Sequence, residues 1–178
     1  QGMNRDLSGQ TISFEGISYH YPLIGIHQVH NFALIMEAVQ ALRNKGWTLP
    51  TPTVQNALLT VHWPGRFEVV CQKPIIILDG AHNPQAATAL TETVQAWFPH
   101  QSVHFLIHIF KDKDASGILK GIAPVCDHLT LTTIDNERSA DPAMLQEIAA
   151  QYISPAKITL EANFETAVRS CLKALSNN

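Results

Sequence analysis

The chain has 178 residues, 46% of them hydrophobic and 15% charged, and a formal net charge of −3. That apolar content can bury a sizeable core in one or two domains. The acidic balance and the lack of a Lys/Arg stripe exclude a nucleic-acid footprint, and no apolar run approaches the ~20 residues that cross a bilayer.

The polar opening "QGMNRDLSG" lacks the apolar segment of a signal peptide. "TISFEG" and "ISYHYPL" alternate apolar and polar residues around Gly16, which predicts a β-hairpin. "HNFALIMEAVQALRNKG" then places Phe32, Ile35, Met36, Val39 and Leu42 on one helical face, with Gly46 as the stop. "TPTVQNALLTV" predicts a second helix, with Thr51 as its N-cap and Pro52 as its first residue. "HWPGRF" is turn chemistry and is expected to join two domains, residues 1–62 and 63–178.

Beyond that joint the pattern becomes strands alternating with helices. "FEVVCQ", "PIIIL", "VHFLIHIF", "HLTLTT" and "KITL" are the strands; helices are expected from about Pro84, Ala115, Pro142 and Phe164. Apolar strands separated by helices predict a doubly wound α/β fold with a mostly parallel, Rossmann-like sheet. The three cysteines, Cys71, Cys126 and Cys171, are far apart and form no C-x-x-C pair. That spacing argues against a disulfide framework or structural zinc and makes a reducing cytoplasm the simplest compartment. The chain closes on "CLKALSNN" directly after a helix, where a doubly wound domain usually adds a strand, and its opening elements are too few for a domain. Both ends are therefore expected to belong to a longer enzyme.

Four stretches can carry chemistry. In "PIIILDGAHNP", Asp79 ends a strand, Gly80 permits a close backbone approach, and Asn83 and Pro84 suit the start of a helix. Asp79 and His82 then flank a helix N-terminus, which favours anions. Capping of the turn, a metal and a nucleotide all remain open there. In "GIHQVHNFA", His27 and His30 invite a metal, but no third ligand is near; Asn31 offers the donor and acceptor that an adenine edge needs, or else caps the helix. Arg66, held just after Pro64–Gly65, can fork onto phosphate or ribose oxygens. "HIFKDKDAS" is a mixed charge cluster with Asp114 as a candidate N-cap, and His104 and His108 are expected to pack in a strand.

Taken in order, G-x-H-Q-x-x-N on a helix, W-P-G-R, a strand ending D-G-A-H-N-P, and D-K-D resemble the folylpolyglutamate synthase family. That family includes bifunctional dihydrofolate synthases and lies within the Mur ligase superfamily. "ERSAD", with Arg138, is similar to a later segment of the same family. The resemblance implies an ATP- and Mg²⁺-dependent ligase that joins L-glutamate to a folate or dihydropteroate carboxylate through an acyl phosphate. It implies that Asn31 contacts the adenine, that Arg66 and Asp79 contact the nucleotide, and that His82 faces the phosphoryl end and the incoming glutamate, with catalytic roles at His82 and Asp79. The parent enzyme is expected to be a cytoplasmic monomer, with no nucleic-acid or membrane partner.

The sequence departs from that family by lacking G-x-x-x-x-G-K-[ST] and a terminal Gly-Ser strand. Residues 1–62 are accordingly expected to be the tail of a central ATPase domain, with most Mg²⁺ ligands outside the chain. Residues 63–178 are expected to be a C-terminal ligase domain cut at its end. Another Mur-type amino-acid ligase is the nearest alternative, although those commonly carry D-x-Y-A-H-x-P at this place. A non-catalytic α/β module that binds a nucleotide or a protein is the other.

Overall fold

The structure, a computed structural model, describes residues 7–176. The polar opening through Asp6 and the last two residues lie outside the described residues. The chain divides into two compact units, Gln1–Gly80 and Ala81–Asn178, so the division falls inside the D-G-A-H-N-P string.

The first unit opens with the expected hairpin. Strands β1 (Gln10–Phe14) and β2 (Ile17–Tyr21) pair antiparallel. Glu15 and Gly16 connect them with φ of 49° and 77°, the left-handed geometry that matches strand twist in a two-residue turn. Helix α1 (Ile26–Asn44) lays its apolar stripe on this hairpin. Phe32 is 1% exposed, and the rings of Phe14, Tyr19 and Tyr21 surround it at centroid distances of 6.2, 5.4 and 5.7 Å. Leu42, placed on the same face by its spacing, is largely exposed near the helix end. Helix α2 (Thr51–Leu59) completes the core through Val54 and Leu58. Its N-cap is Pro50 rather than Thr51, and Pro52 sits in the first turn, where a missing N–H is harmless.

The unit ends in strands β3 (Glu68–Gln72) and β4 (Ile75–Leu78), and here the expected topology fails. "FEVVCQ" and "PIIIL" do not enter a parallel sheet; they pair with each other antiparallel, with a register shift between Val69 and Cys71. The reason is covalent. Only Lys73 and Pro74 connect them, whereas a parallel pair needs a crossover of a dozen residues or more.

The second unit is the doubly wound α/β body. It contains α3 (Pro84–Trp97), β5 (His104–Ile107), α4 (Ala115–Ile122), β6 (His128–Thr133), α5 (Pro142–Ala149), β7 (Ile158–Asn163) and α6 (Phe164–Ser176). Strands β5, β6 and β7 are parallel in that order. Alternation along β6 decides which helix covers which face. Leu129 and Leu131 are wholly buried in a core with Leu119 and Ile122 of α4 and Leu145 and Ala149 of α5. Thr130 points the other way, and its hydroxyl lies 3.7 Å from the Cys171 thiol of α6.

That second face is unusually polar for a sheet interior. His104 Nε2 contacts the Thr130 hydroxyl at 2.8 Å, His128 Nε2 contacts Thr159 at 2.9 Å, and the two imidazoles meet edge-on at 4.6 Å. Burial pushes the His104 pKa below its usual value, and the neighbouring His128 pushes it further down. The unfolded chain therefore takes up this proton near a pH of about 6.5 while the folded chain resists it. Stability from this site is full above that pH and falls as the pH drops below it. Urea midpoints should decline between pH 7.5 and pH 5, and His104→Gln should flatten part of that decline. An unchanged slope in the variant would refute the assignment.

Candidate functional site

The first unit gathers most of the residues singled out by sequence. Gly65, with φ of 69°, turns the chain after Pro64. Its N–H donates to Glu68 Oε2 at 2.8 Å, and its carbonyl accepts from Gly80 N–H at 2.8 Å. A Cβ at Gly80 would lie 3.3 Å from that carbonyl, so the small residue lets the D-G segment run against P-G-R. Phe67 is 3% exposed and has φ of 45°, a left-handed conformation costly for a bulky aromatic. Its N–H donates to Asp79 Oδ2 at 2.8 Å. Asp79 thus clamps the residue next to Arg66, and the guanidinium leaves a backbone fixed on both sides. Asp79 does end a strand, but the strand belongs to an antiparallel ribbon and not to the expected parallel sheet. One carboxylate oxygen does tie up a turn amide, so the capping reading of Asp79 is realised within the same geometry.

Helix α1 supplies the rest. Asn31 does not cap it; the N-cap is Gly25, and Asn31 lies in the second turn. Asn31 Nδ2 donates to Gln28 Oε1 at 3.0 Å, and Gln28 Nε2 lies 3.2 Å from His27 Nε2. Burial pushes the His27 pKa down; the Asp79 carboxylate pulls it up, and the Arg66 and His30 charges push it down. These three fields reach one imidazole, so the start of α1 shares its electrostatic environment with Asp79 and Arg66. The arrangement presents an amide, a guanidinium and a carboxylate, the groups that suit a base, phosphates and ribose hydroxyls. Gln28, 4% exposed, stands in the G-x-H-Q-x-x-N pattern but was given no role of its own by sequence. Its signal was the spacing: a Gln and an Asn three apart share a helical face. No group of three or more His, Cys, Asp or Glu able to hold a metal occurs among the described residues.

His82 belongs to the second unit. It is exposed in the short loop before α3. Asn83 caps that helix by accepting from Ala86 N–H at 2.8 Å, and Pro84 is its first residue, as expected. Asp114 likewise caps α4, accepting from Gly117 N–H at 2.9 Å. The K-D-K cluster is wired to Arg138. Asp112 pairs with Lys113 at 2.9 Å and with Arg138 at 2.8 Å, and these hold its carboxyl at a pKa of about 2. The Arg138 guanidinium also lies over the Phe110 ring, 4.7 Å from its centroid. His108 packs edge-on against Phe110 just beyond β5. A polar cavity of about 500 Å³ lies at the opposite ends of the strands, around Val103, Asp127 and Lys157, and contains none of the candidate residues. No helix is long and apolar enough to cross a membrane among the described residues.

A sequence profile for "Mur ligase, glutamate ligase domain" matches residues 65–178. The dihydrofolate synthase/folylpolyglutamate synthase of Mycobacterium tuberculosis is 30% identical over 169 residues, covering 91% of this chain and 35% of that protein. A probable bifunctional folylpolyglutamate synthase/dihydropteroate synthase of Haloferax volcanii is 30% identical over 142 residues, covering 80% of this chain and 16% of that protein. Among solved structures, M. tuberculosis folylpolyglutamate synthase complexed with ADP and AMPPCP superposes with a TM-score of 0.87 at 28% identity, over 97% of this chain and 40% of that one. The chain therefore spans well under half the length of these relatives.

Proposed function

The chain belongs to the Mur ligase, glutamate ligase domain family, and from that premise we propose that it forms part of an ATP-dependent ligase acting on folates. The reaction joins L-glutamate to a folate or dihydropteroate carboxylate by way of an acyl phosphate, as in a folylpolyglutamate or dihydrofolate synthase of the cytoplasm. The observation that supports this reading is that Asn31, Arg66 and Asp79 lie in one unit, where Asp79 and Arg66 act on the half-buried His27 and Gln28 links that ring to Asn31.

In this reading Asn31 meets the adenine edge, Arg66 the phosphates or ribose, and Asp79 the nucleotide hydroxyls. His82 is assigned to the phosphoryl end and the incoming glutamate. Residues 1–62 are assigned to the tail of an ATPase domain and 63–178 to the C-terminal ligase domain. The Mg²⁺ that accompanies ATP finds no three-ligand cluster among the described residues, so its ligands are assigned to other parts of the enzyme and no step here runs through it.

A P-loop cradles β- and γ-phosphates with backbone N–H groups and a lysine, and the sequence has no G-x-x-x-x-G-K-[ST]. The 178-residue chain alone is therefore expected to release no ADP or phosphate and to form no glutamyl amide when given dihydropteroate, glutamate, ATP and Mg²⁺. Joined to a P-loop domain of this family, it is expected to turn over. Product formation by the chain alone would refute the division of labour. Failure of the joined enzyme with dihydropteroate and with folates would refute the substrate class.

A further inference from the structure

Asn31 can present its amide to a base in two ways, with the oxygen or the nitrogen leading. Only one suits adenine, whose N6 amino group donates and whose N7 accepts. An isolated exposed Asn would sample both. Here its nitrogen is already engaged, since Nδ2 donates to Gln28 Oε1 at 3.0 Å. Gln28 is itself 4% exposed, so it holds its place through the packing of α1 rather than through solvent. The other end of the Gln28 amide meets His27 Nε2 at 3.2 Å. His27 Nδ1 is buried and has no hydrogen-bond partner, so Gln28 is the ring's one polar link among the described residues. The neutral imidazole accepts there in the tautomer that carries its proton on Nδ1, and burial favours the neutral form.

We propose that Gln28, oriented by His27, is a specificity-determining positioning residue that locks the Asn31 amide with Oδ1 outward, selecting a purine with a 6-amino group over one with a 6-oxo group. Asn31 Oδ1 then accepts from the exocyclic amine, and its second Nδ2 proton remains for N7. A 6-oxo purine would set its carbonyl oxygen against Oδ1, two acceptors with no proton between them. The inference rests on the nucleotide reading of this cluster, and it adds the groups that decide which base fits.

The test uses the whole chain, with Gln28→Met to remove the acceptor at similar volume and Gln28→Glu to retain it. Without ligand, the Asn31 side-chain amide should show one hydrogen-bonded proton by NMR in the wild type and in Gln28→Glu, and lose it in Gln28→Met. Titrated with ADP and with inosine diphosphate, the wild type should prefer ADP by roughly tenfold or more, the scale of one good bidentate base contact. Gln28→Met should shrink that ratio to within about threefold, and Gln28→Glu should restore it. A folded Gln28→Met chain that keeps the wild-type ratio overturns the inference, as does a wild-type Asn31 amide with two solvent-like protons. A wild type that shows no preference for ADP while the Asn31 amide signal stays locked overturns it through its premise, the nucleotide reading. That result is distinct from failure of the lock.

Discussion

Asp79→Asn is expected to lower ATP-dependent glutamate addition at least about a hundredfold in the assembled ligase while leaving the turn around Arg66 folded. The substitution separates the turn clamp that Asp79 provides from the nucleotide contact proposed for the same side chain. The Asp79 Oδ2 atom accepts from Phe67 N–H at 2.8 Å and so holds a residue at φ of 45°. An asparagine oxygen can accept the same bond, so the clamp survives. The negative charge does not. A hundredfold loss corresponds to about 2.7 kcal/mol of transition-state stabilisation, a reasonable size for one charged contact at a nucleotide. His27 reports the charge directly: Asp79 pulls its pKa up, so it should titrate at lower pH in the variant. Asp79→Ala should add a structural loss of about 1–3 kcal/mol by leaving the Phe67 amide without that acceptor. Wild-type kcat/KM in Asp79→Asn, together with the downward shift of His27, would remove Asp79 from the reaction and leave it as a turn clamp.

Much of this was legible because it is local. Asn83–Pro84 and Asp114 announce the starts of α3 and α4 through the chemistry of their own side chains, and both caps form. The hairpin at Glu15–Gly16 follows from alternation and one glycine. The topology of β3 and β4 was misread because three isoleucines in a row resemble a strand covered on both faces. Ile75 is 40% and Leu78 50% exposed. The length of the connection, not the hydrophobicity of the run, decided the pairing. What a sequence cannot display is which polar residues meet through the fold. Gln28 is a helical neighbour of Asn31, but its burial depends on the packing of the whole first unit. The pairing of His104 with Thr130 crosses two strands and is set by register alone.

Gly121→Val is expected to be the most destabilising single change in the second unit, by about 3 kcal/mol or more. Helices α3 and α4 approach closely there. A Cβ on Gly121 would lie 2.9 Å from the Ala87 Cβ and 3.4 Å from the Thr88 backbone nitrogen. Ala87 is wholly buried, and its methyl group has no rotamer by which to move aside, so the helices must separate. Separation also stretches the bond from the Thr91 hydroxyl to the Gly121 carbonyl, now 2.8 Å. For a domain of about this size, each kcal/mol lowers Tm by roughly 4–8 °C, so a drop well above 10 °C should appear in a thermal scan.

Gly117 provides the contrast. A Cβ there would lie 2.5 Å from Asp114 Oδ2, the end of a rotatable side chain, and 2.5 Å from Pro84 Cγ, an atom of a ring that can only repucker. Gly117→Ala also gains about 0.5–1 kcal/mol of helix propensity. Displacing the Asp114 cap costs about 1 kcal/mol, and the Pro84 ring must yield as well, so Gly117→Ala should be destabilising, but less so than Gly121→Val. The same reasoning fixes the control for Gly121. In the Gly121→Ala background, Ala87→Gly removes the methyl group that is struck and should recover stability despite its own helix-propensity cost of about 1 kcal/mol. If Ala87→Gly instead adds its full cost to that of Gly121→Ala, the two positions do not couple. The close crossing that sets the first turn of α3, directly after His82, would then not be what Gly121 provides.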